Sequence, residues 1–218
     1  MIDLKEWLLD LLYPSRCAFC RRLVPIGVKA CDACRAKLPF LEPAAQSRTL
    51  PHIPRCVSPL RYEGEVRESL LRYKFGALPG YAQIYGEFLA KCIDENGIVC
   101  DSITWVPLSL ARRRKRGYDQ AQLLAREIAE RSGLPCERLL RKLRNNPAQS
   151  GISDADARRK NVKGAYRALS PEKIRGKRIL LVDDIVTTGA TLSECASVLK
   201  AAGAAEVLAA TVASAHRD

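Results

Sequence analysis

A stretch of 13 residues, 179–191, constrains the fold more than any other part of the sequence. It reads Ile-Leu-Leu-Val-Asp-Asp-Ile-Val-Thr-Thr-Gly-Ala-Thr, in which an apolar run leads to two acids and then to a turn of hydroxyl and glycine residues. The apolar run predicts a strand buried on both faces, as in a parallel sheet. The segment that follows predicts a helix. This unit places Asp183 and Asp184 at the carboxyl edge of an open α/β sheet, where such folds bind ligands.

The turn itself favours a ligand with a phosphate at one end and hydroxyls at the other. The N–H groups and the positive dipole at a helix start suit a phosphate, and Gly189 allows close approach of the backbone. Thr187, Thr188 and Thr191 add hydroxyl donors around Ala190. Carboxylates touching the same phosphate would repel it, so we expect the two acids to hold hydroxyls. The pattern therefore indicates a sugar phosphate such as ribose 5-phosphate, and it is not a GxxxxGK[ST] loop.

Strand and helix patterns alternate along the rest of the chain. The predicted strands are 102–106, 139–143, 178–182 and 206–212, and the predicted helices are 63–75, 81–94, 119–131 and 191–202. This order predicts an α/β fold with a mostly parallel sheet flanked by helices. Residues 41–59 hold four prolines and predict an extended linker. We expect an N-terminal helix and cysteine module in residues 1–55 and the α/β domain in residues 56–218.

Four of the nine cysteines have the spacing of a metal site. Cys17-x2-Cys20 and Cys31-x2-Cys34 are separated by ten residues. Each CxxC turn presents two thiolates to one point, and two such turns complete a tetrahedron around zinc. Four thiolates leave no open coordination position, so the predicted zinc is structural and supplies folding energy to a small zinc-ribbon module. The alternative reading is a redox dithiol pair.

The basic residues are concentrated in one part of the chain. Residues 108–178 hold 20 basic and seven acidic residues, whereas the whole chain has a net charge of +12. Such a field favours a polyanion or a phosphate-rich small molecule, the alternative being a solvated helix face. No apolar run approaches the roughly 18–20 residues of a membrane span, so we expect no membrane insertion. Residues 1–13 predict a short amphipathic helix rather than an export signal, which favours a reducing cytoplasm.

The 179–191 stretch resembles the signature of type I phosphoribosyltransferases, which bind 5-phosphoribosyl-1-pyrophosphate (PRPP). The resemblance implies that Asp183 and Asp184 are the catalytic acids and hold the ribose 2′- and 3′-hydroxyls. It also implies that the backbone of residues 187–191 binds the 5′-phosphate.

Most of the chain, from about residue 17 to residue 213, resembles the ComF (ComF/GntX) family of phosphoribosyltransferase-like competence proteins. The segments that carry the resemblance are the CxxC pair, 61–67, Lys74-Phe75, 106–108, 116–120, 149–151 and 158–162. One departure is Asp119, where the family pattern leads us to expect Asn.

The resemblance implies that Mg²⁺ accompanies PRPP and that a loop after an early strand binds its pyrophosphate. Residues 108–116 occupy that place, and Arg112 and Arg116 are the candidate pyrophosphate ligands. Residues 144–161 are a candidate closing loop that would bring Arg158 or Arg159 over the site. The sequence contains no recognisable general base or base-reading residue, so the acceptor is unidentified.

Two other classes of function stay open at this point. The basic segment allows binding of single-stranded DNA, although Tyr118 is the one aromatic residue near the basic run. By family analogy alone, the zinc module could instead dock a protein partner such as a competence helicase. Both readings place the protein in DNA uptake, either beside or in place of catalysis.

Overall fold

The computed structural model describes residues 14–144 and 162–215 of the chain. The strands are β1 Ser47–Leu50, β2 Ile53–Val57, β3 Leu60–Arg61, β4 Ser102–Trp105, β5 Leu140–Lys142, β6 Tyr166–Ala168, β7 Arg178–Val186 and β8 Glu206–Ser214. The helices are α1 Asp32–Arg35, α2 Gly64–Phe75, α3 Tyr81–Glu95, α4 Leu110–Arg116, α5 Gln120–Ser132, α6 Pro171–Ile174 and α7 Ala190–Ala201. The predicted helix at 1–13 and nearly all of the candidate closing loop, with Arg158 and Arg159, lie outside the described residues.

The main sheet has the order β1-β2-β8-β7-β4, and β3 also pairs with β8. All of its pairings are parallel except the hairpin of β1 and β2. Trp105 lies opposite Val182 in the β4–β7 pair, and Asp183 lies opposite Thr211 in the β7–β8 pair. The carboxyl ends of β4, β7 and β8 therefore meet at one edge, as expected for the predicted α/β architecture.

The strand β7 lies between the two layers of the core. Leu180 and Val182 pack with the apolar side chains of α2, α3 and α5, whereas Ile179 and Leu181 pack with α7 and the small β5–β6 sheet. The four side chains are at most 1% exposed. Burial on both faces explains why this strand reads as an uninterrupted apolar run.

Residues 41–59 do not form the extended linker that their prolines led us to expect. They contain a short 3-10 helix at Pro43–Ala45 and the β1–β2 hairpin, and β2 pairs with β8 in the main sheet. The hairpin is fixed on the sheet by buried residues on both faces, since Ile53 and Cys56 pack in one core layer and Val57 packs in the other. Pro54 is compatible with the strand because the β1–β2 register is irregular at this point and the pairing of β2 with β8 involves only Cys56 and Val57. The division at residue 55 stays a proposal, and β2 runs across it.

The cysteine module packs on α2 and α3. The ring of Phe19 lies 6.2 Å from that of Tyr85 and 6.5 Å from that of Phe88, measured between centroids. Ser69 Oγ donates a hydrogen bond to the Ala18 carbonyl oxygen at 2.6 Å. The module is thus held by α3 through apolar contacts and by α2 through a hydrogen bond. Within the described ranges, no helix combines the length and the apolar character that crossing a bilayer requires.

Candidate functional site

The two predicted acids lie at the carboxyl end of β7 and have different partners. Asp184 Oδ2 is 3.1 Å from Lys74 Nζ, the last-turn lysine of α2. Asp183 Oδ1 accepts a hydrogen bond from the Asp184 N–H at 2.8 Å. Burial, and after it the negative charge of Asp184, raise the pKa of Asp183. The site thus holds one acid that is paired with a lysine and one whose charged form is disfavoured by its surroundings.

The β1–β2 hairpin contacts the turn between β7 and α7. Arg48 Nη2 donates a hydrogen bond to the Thr187 carbonyl oxygen at 2.7 Å. Gly189 has φ +78°, and a methyl group built on it would lie 2.6 Å from Leu50 Cδ2. Glycine is therefore required here both for the backbone conformation and for the close approach of Leu50. The side chains of Thr187 and Thr188 are exposed on the turn.

The start of α7 presents the backbone donors that the sequence predicted for a phosphate. The helix begins at Ala190 and runs for 12 residues to Ala201. The first N–H groups of a helix have no intrahelical partner and its dipole favours an anion there. Thr188 Oγ1 accepts the Ala190 N–H in a long contact of 3.4 Å, and the Thr191 side chain is half-buried. The strand, turn and helix that the sequence predicted here are thus present, and the binding of a phosphate at this turn stays a prediction.

The candidate arginines lie on a helix that follows β4. Ser109 caps α4 by accepting the Arg112 N–H at 3.4 Å, so the basic run becomes helical from Leu110. Arg112 and Arg116 are half-buried on one side of this helix, as the spacing of four residues requires. Arg116 Nη1 donates to Gln120 Oε1 at 2.9 Å. Burial lowers the pKa of Arg116, and the charge of Asp184 opposes that shift.

Asp119, the departure from the family pattern, has a structural role. Its side chain is 5% exposed and caps α5 by accepting the Gln122 N–H at 3.4 Å. Its other oxygen accepts the Leu108 N–H at 2.9 Å and so fixes the loop that joins β4 to α4. Burial raises the pKa of Asp119, and both backbone hydrogen bonds oppose this. This carboxylate therefore positions the arginine helix relative to the sheet edge.

Sequence reasoning missed three cations that surround the acids. Lys74 belonged to a segment that carried the family resemblance, yet no role followed from it. Lys142, at the end of β5, lies 5.1 Å from the Tyr166 ring centroid, and burial followed by the charge of Arg112 lowers its pKa. Arg48 lay in the stretch interpreted as a linker. The sequence shows Lys74 and Lys142 near the ends of a predicted helix and a predicted strand, and this was the signal available for them. The group that each lysine contacts depends on tertiary packing.

The four predicted zinc ligands are brought together. The Sγ atoms of Cys17, Cys20, Cys31 and Cys34 all lie within 4.8 Å of one another. Cys20 Sγ is 3.7 Å from Cys31 Sγ, against about 3.8 Å for the edge of a tetrahedron with Zn–S bonds of about 2.3 Å. The Cys31 N–H also donates to Cys17 Sγ at 3.4 Å. This donor set fits a closed, structural zinc ion.

Two protein families match parts of the chain. A family described as phosphoribosyl transferase domain matches residues 96–218, and one described as double zinc ribbon domain matches residues 8–49.

Curated relatives have names that refer to competence and DNA use. Competence protein F of Haemophilus influenzae is 35% identical over 109 residues, which cover 49% of this chain and 47% of that protein. DNA utilization protein YhgH of Salmonella typhi is 36% identical over 108 residues, covering 49% and 46%. Competence protein ComFC of Bacillus subtilis is 32% identical over 158 residues, covering 66% and 57%. The chain spans about half the length of the curated relatives it matches.

A solved structure with a similar fold is adenine phosphoribosyltransferase from Leishmania tarentolae. It is 15% identical with a TM-score of 0.41, and the match covers 84% of this chain and 85% of that one.

Proposed function

Because the chain belongs to the phosphoribosyl transferase domain family, and within it to the ComF proteins that add a zinc ribbon, we propose that it binds PRPP together with Mg²⁺. We propose further that it transfers the phosphoribosyl group to an acceptor in a process linked to DNA uptake. The names of its relatives support the link to DNA uptake.

One juxtaposition carries the proposal. The acids at the end of β7 face a lysine from α2 and an arginine from the helix that follows the neighbouring strand β4. A phosphate turn follows the acids directly along the chain. PRPP has the matching order of groups, with a 5′-phosphate, ribose hydroxyls and a pyrophosphate.

In this proposal each part of the ligand has its own residues. The backbone of residues 187–191 binds the 5′-phosphate, and Asp183 and Asp184 accept hydrogen bonds from the ribose hydroxyls. Arg112 and Arg116 bind the pyrophosphate. Breaking the anomeric C–O bond leaves positive charge on the ribose and negative charge on the leaving pyrophosphate. The acids stabilise the first charge and the arginines stabilise the second.

The residues at the site also fit a role for Mg²⁺. Carboxylate and phosphate oxygens are the ligands that this ion prefers, and when bound it neutralises part of the pyrophosphate charge. Asp184 is already paired with Lys74. We therefore propose that Asp183 is the protein carboxylate that would hold the ion, together with oxygens of PRPP.

Isothermal titration calorimetry of the zinc-loaded protein with PRPP tests this function. We expect saturable binding that requires Mg²⁺ and that is lost when Asp183→Asn and Asp184→Asn are combined. A matched control is Asp101→Asn, because Asp101 is an exposed aspartate that pairs with Arg178 away from the β7–α7 turn. Absence of binding to the unmodified protein, or binding that the double substitution leaves unchanged, contradicts the proposal.

Binding of single-stranded DNA is a second candidate, and one observation favours it. Arg113, Arg114 and Lys115 are exposed on α4, whereas Arg112 and Arg116 are half-buried. Cations that contact phosphates make the affinity for DNA fall steeply with salt. We expect replacement of these three residues by Gln to reduce both the affinity for an oligonucleotide and its salt dependence, while PRPP binding stays unchanged. Affinity that is independent of salt contradicts DNA binding.

The remaining expectations concern partner and compartment. None of the nine cysteines forms a disulfide, which supports a reducing compartment, and we propose the cytoplasm. Docking of a competence helicase on the zinc module stays a prediction. The face of that module around Phe19 is covered by α2 and α3, so a partner would have to use its outer face.

A further inference from the structure

The β1–β2 hairpin contacts the candidate phosphate turn through two side chains. Arg48 Nη2 donates to the Thr187 carbonyl oxygen at 2.7 Å, although the two residues are 139 positions apart. Leu50 lies so close to Gly189 that a methyl group added there would clash with it. The hairpin precedes residues 96–218, which match the phosphoribosyl transferase domain family. A segment outside that match thus lies against the turn.

The bond from Arg48 fixes the direction of the peptide between Thr187 and Thr188. No described peptide bond is cis, and in a trans peptide the N–H points away from the carbonyl of the same unit. Because the Thr187 carbonyl is directed at Arg48, the Thr188 N–H is directed away from this guanidinium. That N–H is one of the backbone donors that we propose for the 5′-phosphate.

Arg48 also brings a charge that its surroundings do not neutralise. Among the residues that the structure describes, no carboxylate lies within ion-pair distance of it. The side chain is half-buried, and Cys56 is the residue opposite it in the hairpin. Burial raises the pKa of the Cys56 thiol to about 12, and the charge of Arg48 opposes this rise. A partly buried charge is screened less by salt than an exposed one, so it acts on an anion at the turn.

We propose that Arg48 is a positioning residue for the 5′-phosphate, because it holds the Thr187–Thr188 peptide in the donating orientation and places a positive charge behind it. The inference rests on the proposed binding of PRPP. Arg48 acts through the turn and does not touch the ligand. The ligands that depend on it are therefore sugar 5-phosphates, whereas pyrophosphate, which we assign to Arg112 and Arg116, does not depend on it.

The test compares ligands that have the 5′-phosphate with one that lacks it. Isothermal titration calorimetry gives the dissociation constants of PRPP, ribose 5-phosphate and pyrophosphate, each with Mg²⁺, for the zinc-loaded full chain and its variants. We expect Arg48→Met to weaken PRPP and ribose 5-phosphate by about 10-fold, which corresponds to about 1.4 kcal/mol, and pyrophosphate by less than about twofold. Arg48→Lys keeps the charge and a donor, so it should recover most of the affinity.

Arg55 offers a matched control in the same hairpin. It is half-buried, as Arg48 is, and it also donates to a backbone carbonyl oxygen. That oxygen belongs to Asn96 at the end of α3 instead of the turn. Arg55→Met therefore removes the same charge and the same kind of hydrogen bond, and we expect it to leave the affinities for all three ligands unchanged.

Ionisation of the bound phosphate gives a readout that a purely structural role of Arg48 would not change. The second pKa of a phosphate monoester is about 6, and a nearby positive charge lowers it. A ³¹P NMR titration of ribose 5-phosphate, with each protein saturated, should therefore give a lower phosphate pKa on the unmodified protein than on Arg48→Met. Arg55→Met should match the unmodified protein.

Other results overturn the inference in distinguishable ways. If PRPP and ribose 5-phosphate bind and neither their affinities nor the ³¹P titration depends on residue 48, the inference fails and the proposed function stands. If Arg48→Met weakens pyrophosphate as much as ribose 5-phosphate, or if Arg55→Met has the same effect, the hairpin supports folding rather than the phosphate. Should Arg48→Met not fold, Arg48→Gln, which removes the charge and keeps an amide donor, is held to the same criteria. If no ligand binds the unmodified protein, the proposed function fails and the inference fails with it.

Discussion

Lys74 Nζ lies 3.1 Å from Asp184 Oδ2 although the two residues are 110 positions apart in the chain. Both side chains are largely withdrawn from water, with 20% and 12% exposure. An ion pair in such surroundings interacts more strongly than one on the surface, and removal of one partner leaves an uncompensated charge. The same lysine adds a positive charge to a site that we propose binds a highly anionic ligand.

Replacement of Lys74 by Met should weaken PRPP binding. The substitution removes one positive charge beside Asp184, and we expect a loss of affinity of about 10-fold, equivalent to about 1.4 kcal/mol. Lys74→Arg keeps the charge and should stay close to the unmodified protein. Calorimetric titration with PRPP and Mg²⁺ measures both. Tighter binding by Lys74→Met would mean that the lysine competes with the ligand for Asp184, contrary to our account.

Replacement of Asp183 by Asn should raise the stability of the ligand-free protein, and this gain should grow as the pH rises. The pKa of Asp183 is raised above its ordinary 3.8, so the folded protein holds more protons than the unfolded chain between that value and the raised one. The free energy of unfolding therefore decreases as the pH rises across this window. The Asn side chain does not ionise, so the substitution abolishes this decrease. Thermal melts should show little difference near pH 4 and a gain of a few degrees at pH 8–9, since about 1 kcal/mol shifts the melting temperature by about 2–4 °C.

Asp101→Asn is a control of opposite sign for this experiment. Hydrogen bonds from Arg178 lower the pKa of Asp101, so its contribution to stability is present above its ordinary pKa and is lost as the pH falls through the lowered one. The amide should therefore reduce the melting temperature slightly at neutral pH. A gain from Asp183→Asn that is equal at pH 4 and pH 9 would exclude the raised pKa as its cause.

Replacement of Gly189 by Ala should destabilise the protein for two separable reasons. The residue has φ +78° and ψ 0°, and the added methyl would approach Leu50 Cδ2 to 2.6 Å. Gly133 is a matched control with φ +70° and ψ 7°, and nothing lies within 4 Å of the place of its methyl. We expect Gly133→Ala to cost about 1 kcal/mol and Gly189→Ala about 1–3 kcal/mol more in denaturant unfolding. Leu50→Ala, combined with Gly189→Ala, should recover part of that difference. Equal costs at the two glycines would contradict the proposed clash with Leu50.

The chain should bind one zinc ion, although the family that matches residues 8–49 is a double zinc ribbon. That stretch contains four cysteines and no histidine, which is enough for one tetrahedral site. Native mass spectrometry should give one zinc per chain, and its removal should lower the melting temperature because Ser69 and Arg72 lose their ordered partners at Ala18 and Phe19. Two bound zinc ions, or an unchanged melt after chelation, contradict this assignment.

The parts of the fold that the sequence predicted are those fixed by local patterns. The apolar run of β7 and the diacid and glycine that follow it define this buried strand and the start of α7, and the spacing of Cys17 to Cys34 defines the zinc site. The β1–β2 hairpin was not predicted because its prolines indicated a linker although three of its apolar residues are buried. The strand with which it pairs, β8, is also some 150 residues away in the chain.

The candidate site was predictable only where one segment supplies it. Asp183, Asp184 and the turn are contiguous, so their juxtaposition follows from one strand and one helix. Lys74 reaches the same edge because α2 lies across the sheet, and no periodicity in the sequence contains that information. Arg112 and Arg116 were predicted from the family resemblance. They share a half-buried face because they are four residues apart in α4, whose start is capped by Ser109.

The structure of the zinc-loaded protein in crystals soaked with PRPP and Mg²⁺ is the most direct test of the central claim. Our account predicts the 5′-phosphate on the backbone of residues 187–191, the ribose hydroxyls on Asp183 and Asp184, and the pyrophosphate beside Arg112 and Arg116. Ligand density elsewhere, or a ligand whose phosphate avoids the β7–α7 turn, would contradict it.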